Sequence, residues 1–350
     1  MTSQTLRLVS RIATVSLFTL LAFGSAAQAA GEVNIYSYRQ PVLIEPMLKE
    51  FTKKTGIRAN VVYAKKGLSE RIKAEGANSP ADLIFTVDIG RLTGAVSQGV
   101  TQPVNNKTIN ANIPANLRDP KGNWFGLTER VRVILASKDR VKQDTITYEE
   151  LADPKWKGKI CTRDGQHVYN VALIASMIAH HGEKKAEAWL NGVKANLARK
   201  PAGNDRAQAK GVFSGECDLA VANHYYMALM MTNDKQPEQK KWADSVKLMW
   251  PNNKNRGAHV NLSGMALAKN APNKDNAIKL MEFLSSDDGQ KLYASVNNEY
   301  PVKVGVPAGD VAASFGKFKP DSLSVAKVGE LRKKASELVD KVGYNNGPSS

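Results

Sequence analysis

The chain has 350 residues, with 49 Lys and Arg against 33 Asp and Glu and a formal net charge of +16. This length exceeds what one hydrophobic core usually supports, so we expect two lobes. The basic excess suits nucleic acid, an anionic membrane surface or an anionic ligand. Because the basic residues are scattered and accompany no recognition helix or aromatic RNA-binding motif, the sequence argues against nucleic acid as a partner.

The first residues, 1–30, have the organisation of a secretory signal peptide. Arg7 and Arg11 precede an apolar run at 12–23, and the small-residue tripeptide AQA at 27–29 provides a cleavage site. No later stretch approaches the ~20 apolar residues that a membrane-spanning helix needs. We therefore expect the protein to be exported to a Gram-negative periplasm, without a membrane-embedded segment.

Strand and helix patterns alternate at the start of the exported chain. Strands are predicted at 32–37, 57–63 and 81–88, and helices at 41–56 and 68–76. The resulting β-α-β-α-β order is typical of an α/β fold, in which helices cover a largely parallel sheet.

The alternation continues to the end of the chain. Strands are predicted at 130–137, 158–164, 215–223, 245–251 and 264–269, and helices at 170–182, 226–234, 276–296 and 324–343, with Asn170 as the N-cap of the first. The pattern leaves one α/β lobe and later returns to it, which predicts two lobes with a cleft between them. We expect lobe 1 to comprise residues 31–129 and 251–304, and lobe 2 to comprise residues 130–250 and 305–350.

Three turns from strand to helix form the predicted binding region. Ligands of open α/β sheets bind at the carboxyl ends of strands, where helix N-termini also point. We name these turns the first, second and third corner. Their polar and aromatic side chains are Tyr38, Arg39 and Gln40 in the first, Arg163, His167 and Tyr169 in the second, and His224, Tyr225 and Tyr226 in the third.

The two cysteines, Cys161 and Cys217, lie before the second and third corners. In an exported chain they are a natural disulfide pair, and only one intramolecular pairing exists. Tyr169 follows Cys161 by eight residues, and Tyr225 follows Cys217 by the same number. If the bridge joins neighbouring strands near their starts, it sets the register of those strands and brings the tyrosines to the same edge of the sheet.

The tyrosines at the corners suit a trivalent metal. A phenol has an ordinary pKa near ~10, so it needs a strong local cation to ionise at neutral pH. Phenolate is a hard, anionic oxygen donor that matches Fe(III), whereas zinc and copper favour imidazole and thiolate. Three phenolates leave coordination positions free, and Arg39 with Gln40 could hold a small anion such as carbonate there. The alternative is that the tyrosines are ordinary core and rim aromatics and that Arg39 forms a structural salt bridge.

Stretches spread over the whole exported chain closely resemble the periplasmic ferric-ion-binding proteins of ABC iron importers. They are VNIYSYRQPVLIEPMLKEF, SPADLIFTVDIGRL, NWFGLTERVRVILASKDRV, KGKICTRDGQHVYNVALIASMI, VKANLARKP, NHYYMALM, NLSGMALAKNAPNK and NEYPVK. The resemblance implies a type II periplasmic-binding fold, in which two hinged α/β lobes enclose Fe(III) in the cleft.

The resemblance also implies roles for particular residues. Tyr169, Tyr225 and Tyr226 match the metal-ligating tyrosines of the family. The first corner has Gln40 followed by proline where many relatives have a further His or His-Tyr, so that ligand is missing. The chain is similar to the branch in which three tyrosines hold iron with carbonate and the arginine that matches Arg39 contacts the anion.

Four other residues near the corners have less defined roles. Arg130 matches an arginine near the site in relatives, and we expect it to bind the anion or to lie behind the ligands. Tyr38 could reach the cleft as an extra ligand, but packing is the favoured interpretation. His167 and His224 stand beside better donors, and we expect neither to bind the metal.

Together these inferences predict a receptor and not an enzyme. As a monomer it would capture Fe(III) with carbonate or bicarbonate and deliver it to an inner-membrane ABC permease. One alternative keeps the fold but binds an oxyanion or a small organic solute. Another is an exported enzyme, for which the sequence offers no paired carboxylates and no nucleophile, nucleotide or zinc-hydrolase motif.

Overall fold

The computed structural model describes residues 31–348, and the predicted signal peptide lies outside this range. The strands of the described chain are β1 Glu32–Ser37, β2 Arg58–Tyr63, β3 Leu83–Thr86, β4 Phe125–Ser137, β5 Ile160–Cys161, β6 Leu219–Asn223, β7 Val246–Met249, β8 Val260–Leu267 and β9 Tyr300–Pro301.

Helices cover both halves of the sheet that these strands form. They are α1 Glu45–Thr55, α2 Leu68–Glu75, α3 Ile89–Ser97, α4 Lys107–Asn112, α5 Val168–His181, α6 Glu183–Ala195, α7 Asp205–Phe213, α8 His224–Met231, α9 Glu238–Asp244, α10 Lys274–Ser285, α11 Asp287–Asn297, α12 Asp310–Ala313, α13 Val325–Glu330 and α14 Arg332–Val342. Within residues 31–348, no helix has the length and apolar character needed to cross a membrane.

The strands lie in the order β2-β1-β3-β8-β4-β6-β5, and β7 and β9 also pair with β4. Strands β1, β2 and β3 are parallel, which confirms the predicted β-α-β-α-β unit. Side chains on both faces are buried in the centre of this unit, where the consecutive residues Leu83 and Ile84 of β3 are both fully covered. Such burial is typical of parallel strands covered by helices on both sides.

One long strand, β4, connects the two halves of the sheet. Its first part pairs antiparallel with β8, and its second part pairs antiparallel with β6 and β7. The sequence predicts strand only from residue 130, because Thr128 and Glu129 interrupt the apolar pattern. Thr128 is nevertheless buried, since its hydroxyl donates a hydrogen bond to the buried carboxylate of Glu299. The boundaries given above for the two lobes stay a prediction.

Three predicted helix features are wrong: the N-cap of α5, the single helix at 276–296, and the single helix at 324–343, which is divided at Leu331 into α13 and α14. The N-cap of α5 is His167, whose Nδ1 accepts the backbone N–H of Tyr169 at 3.3 Å, whereas Asn170 lies inside the first turn. Asn170 is drawn inward because its amide donates to Thr162 Oγ1 and to the carbonyl of Arg163. The single helix predicted at 276–296 is divided at residue 286, where a serine hydroxyl caps the N-terminus of α11 and interrupts the backbone hydrogen bonds.

The predicted disulfide is present, but it does not set the strand register as expected. Cys161 and Cys217 are bonded with their Cα atoms 5.8 Å apart, and β5 and β6 are parallel neighbours. The partner of Cys161 across the two strands is Ala220, three residues beyond Cys217. The bridge therefore joins the end of β5 to the loop before β6. The equal spacing from each cysteine to its tyrosine is not what brings the tyrosines together.

Candidate metal site

All three corners open onto one cavity of about 290 Å³. The cavity lies where β1, β5 and β6 end and where the helices that follow them begin, so helix N-termini surround it. The predicted site residues that line it are Tyr38, Arg39, Gln40, Arg130, Tyr169, Tyr225 and Tyr226. Residues separated by up to 188 positions in sequence, from Tyr38 to Tyr226, therefore share one wall.

The three tyrosines come together because two helix starts face each other. Tyr169 lies in the first turn of α5, and its hydroxyl oxygen is 3.1 Å from that of Tyr225. Strand β6 ends at Asn223 and α8 begins at once, so the chain bends before Tyr225 and Tyr226. Their rings lie side by side, with centroids 4.4 Å apart. A strand would have pointed these neighbours to opposite faces.

Burial disfavours ionisation of the Tyr225 and Tyr226 hydroxyls. Burial, followed by the neighbouring phenol of Tyr169, raises the pKa of Tyr226 to about 12 and raises the pKa of Tyr225 well above 10. Both groups are therefore neutral at pH 7 in the metal-free protein. A bound metal ion removes such protons, since it is the largest local charge in its site.

Arg130 is a buried arginine at this site with several hydrogen-bond donors that lack a partner in the described part of the chain. Its side chain is buried, and its Nη2 donates to the carbonyl of Leu262 at 3.1 Å. Its Nε and Nη1 have no hydrogen-bond partner among residues 31–348, and the guanidinium carbon lies 5.1 Å from the ring centroid of Tyr169. A buried guanidinium with unpaired donors is costly unless an anion satisfies it. Arg130 thus offers the N–H groups of two guanidinium nitrogens, Nε and Nη1, to an anion.

Arg39 is held differently, by a buried carboxylate that the sequence analysis missed. Its Nη2 donates to Glu299 Oε1 and to Ser263 Oγ, both at 2.6 Å. Burial would raise the pKa of Glu299, but Arg39 and then Arg130 hold it below its ordinary value. Arg39 therefore forms a structural salt bridge, as the alternative hypothesis in the sequence analysis proposed, and it also lines the cavity. The signal for Glu299 was its place in NEYPVK, one of the stretches that resemble the iron-binding family.

The other two candidates at the first corner, Tyr38 and Gln40, are hydrogen-bonded elsewhere or lie at the rim of the cavity. The hydroxyl of Tyr38 accepts the backbone N–H of Ser69 at 3.0 Å and lies 3.2 Å from its Oγ, as expected for a packing residue. Gln40 is exposed at the rim of the cavity. Among residues 31–348, no group of three His, Cys, Asp or Glu side chains is placed to hold a metal ion.

Both histidines at the corners have structural partners. His224 is buried, its Nδ1 accepts the backbone N–H of Val131 at 3.1 Å, and its Nε2 lies 3.0 Å from the carbonyl of Asn298. Burial lowers the pKa of His224 to about 4 and the pKa of His167 to about 3. Both rings are therefore neutral at pH 7. Each ring supports a helix start or a neighbouring strand, and neither histidine is among the residues that line the cavity.

This arrangement of one sheet shared by two α/β lobes, with a polar cavity at the strand ends, defines a solute-binding protein of the periplasmic type. Residues 78–318 match the bacterial extracellular solute-binding protein family, and the chain belongs to this family. The predicted fold class is therefore confirmed.

Relatives within this family bear names that refer to iron. The chain is 45% identical over 315 residues to iron uptake protein A1 of Synechocystis sp., covering 89% of this chain and 87% of that protein. A Bordetella ferric binding protein shares 51% identity with a TM-score of 0.84, covering 90% of this chain and 100% of that one. A Trichodesmium protein solved in complex with iron and citrate ligands shares 48% identity with a TM-score of 0.85 and the same coverage.

Proposed function

We propose that this protein is an exported receptor that captures Fe(III) together with carbonate or bicarbonate and delivers it to an inner-membrane ABC permease. The observation that supports this most strongly is the convergence of Tyr169, Tyr225 and Tyr226 on one cavity, with two hydroxyl oxygens 3.1 Å apart. Relatives whose names refer to iron uptake or ferric iron support the same cargo. The role is binding and transfer, without turnover.

The charges of the site suit a trivalent cargo. Three phenolates neutralise Fe(III) but occupy only three of its coordination positions. Arg130 offers unpaired donors to an anion in the remaining positions, and Arg39 adds a second guanidinium that Glu299 holds in place. A planar oxyanion such as carbonate accepts parallel hydrogen bonds from guanidinium groups. Fe(III) and the anion would therefore bind as a unit.

Capture follows from hinge closure of the two lobes. Lobe 1 (residues 31–129 and 251–304) contributes Arg39 and Gln40, and lobe 2 (residues 130–250 and 305–350) contributes the three tyrosines. Closure around the ligand is the motion known for periplasmic receptors. A signal peptide at residues 1–30 would direct the receptor to the periplasm, where we propose that it acts as a monomer and passes its cargo to the permease.

The direct test is a titration of metal-free protein with a ferric salt, with and without bicarbonate. We expect a visible tyrosinate-to-iron absorption band that saturates at one iron per chain and binding that is tighter with bicarbonate. Calorimetry of the same protein with oxyanions and small organic solutes provides the comparison. Tight binding of such a solute, with no band from iron, would select the alternative function.

The anion part of the proposal is tested in the same titration by Arg130→Gln. Because Arg130 has two buried donor nitrogens without a hydrogen-bond partner among residues 31–348, against one in Arg39, this variant should lose most of the difference between the titrations with and without bicarbonate. Arg140→Gln is the matched control, since Arg140 pairs with Asp218 away from the cavity. An unchanged bicarbonate effect in Arg130→Gln would remove Arg130 from the anion site.

A further inference from the structure

Asp205 is a buried carboxylate behind the tyrosines that none of the roles above uses. It is the first residue of α7, and its side chain is fully covered. Its Oδ2 accepts hydrogen bonds from Arg132 Nη1 and from the backbone N–H of Asn223, each at 2.8 Å. Its Oδ1 accepts a hydrogen bond from Arg163 Nη1 at 2.9 Å.

The partners of Asp205 lead to two different corners. Arg163 belongs to the second corner, and its guanidinium carbon lies 5.2 Å from the ring centroid of Tyr169. Asn223 is the last residue of β6 and lies two positions before Tyr225. A single carboxylate therefore contacts both segments that carry the facing hydroxyls.

Arg132 strengthens this connection from β4. Its Nη2 donates to Asn170 Oδ1 at 2.7 Å, and its guanidinium carbon is 5.9 Å from the ring centroid of Tyr169. Asn170 in turn donates to the loop of the second corner through the carbonyls of Arg163 and Asp164. The network joins the second and third corners through charged hydrogen bonds in the protein interior, where such bonds are strong.

The disulfide does not connect the second and third corners close to the tyrosines. It joins Cys161 to Cys217 at the far ends of the same segments and is offset by three residues from the strand register. Each cysteine is eight residues away from its tyrosine, whereas the contacts of Asp205 lie within six residues of Tyr169 and two of Tyr225.

We propose that Asp205 is a positioning residue for metal binding. It sets the separation of the Tyr169 and Tyr225 hydroxyl oxygens, and it holds two guanidinium groups beside the Tyr169 ring. This inference rests on the proposed iron-binding function. Asp205 acts through Arg163 and Asn223 and does not touch the cargo. Its charge offsets part of the repulsion between Arg132 and Arg163, so its loss should let the second corner move away from the third.

The test is Asp205→Asn, which keeps the size of the side chain but removes its charge. Changing a partner that orients metal ligands typically weakens metal binding by about 10–100-fold. We expect a loss of this size in competition with an iron chelator. At saturating iron we also expect a shift in the wavelength of the tyrosinate-to-iron band, because the phenolate geometry has changed. A purely structural role would lower the unfolding temperature without moving the band of the folded fraction.

Asp218→Asn is the matched control. Asp218 also pairs with an arginine, Arg140, but at the opposite end of β6, and we expect its iron affinity and band to equal those of the wild type. If Asp205→Asn does not fold, Arg163→Gln removes one contact of the network and should give the same shift. An unchanged band and affinity in the folded variant would overturn the inference. Absence of any band in the wild type would instead overturn the proposed function.

Discussion

Replacing both Tyr225 and Tyr226 with phenylalanine is expected to remove most of the tyrosinate-to-iron band and to weaken Fe(III) binding by more than roughly 100-fold. That value is the upper end of what changes behind the ligands cost, and this variant removes two of the three proposed ligands themselves. Phenylalanine keeps the ring packing but supplies no oxygen. Chelator competition measures the affinity, and visible absorption measures the band.

The double variant should remain folded. The hydroxyl of Tyr225 has Tyr169 as its hydrogen-bond partner, and a hydrogen bond of this kind contributes about 0.5–1.5 kcal/mol to stability. Tyr38→Phe is the matched control, because Tyr38 lines the same cavity while its hydroxyl is bonded to Ser69. The control should retain the band. A double variant with the wild-type band and affinity would show that these tyrosines are not ligands.

Iron binding should release protons, and its affinity should fall steeply in acid. Because the pKa of Tyr226 is raised to about 12 and that of Tyr225 is raised well above 10, both hydroxyls are protonated in the metal-free protein at pH 7. Each must lose its proton to bind Fe(III), so lowering the pH opposes binding. Two such protons correspond to a decrease of about 100-fold in affinity for each pH unit, on the general linkage between metal binding and ligand protonation.

The proton count can be measured in weak buffer with an indicator dye during the iron titration. Carbonate chemistry and iron hydrolysis also move protons, so the useful quantity is the difference between the wild type and Tyr225→Phe/Tyr226→Phe at equal bound iron. We expect the wild type to release two more protons per iron. Equal release by the two proteins would contradict phenolate ligation by this pair.

The features that follow from local pattern could be predicted from the sequence. The β-α-β-α-β unit and the strand-to-helix corners depend on apolar periodicity and short turns, which the sequence shows directly. The disulfide follows from there being two cysteines in a chain that is expected to be exported. The meeting of Tyr169 and Tyr225 at one cavity was expected as well, although the reason given for it, the cysteine spacing, is wrong.

The features that depend on distant partners could not be predicted in this way. Glu299 is 260 residues from Arg39, and Asp205 is 73 residues from Arg132, so no local pattern connects either pair. The start of β4 was not predicted, because polar residues such as Thr128 interrupt the apolar pattern there. The hydrogen bonds that allow these residues to be buried are made only in the folded protein. Helices α3, α4, α6, α7, α9 and α12 were not predicted from the sequence.

The central claim is that three phenolate oxygens converge on Fe(III) in the cavity between the lobes. Anomalous X-ray scattering from a crystal of iron-loaded protein, recorded on both sides of the iron absorption edge, tests it most directly. We predict one iron peak within bonding distance of the hydroxyl oxygens of Tyr169, Tyr225 and Tyr226. Oxygen atoms that point apart with no iron peak among them, in a crystal saturated with iron, would contradict the claim.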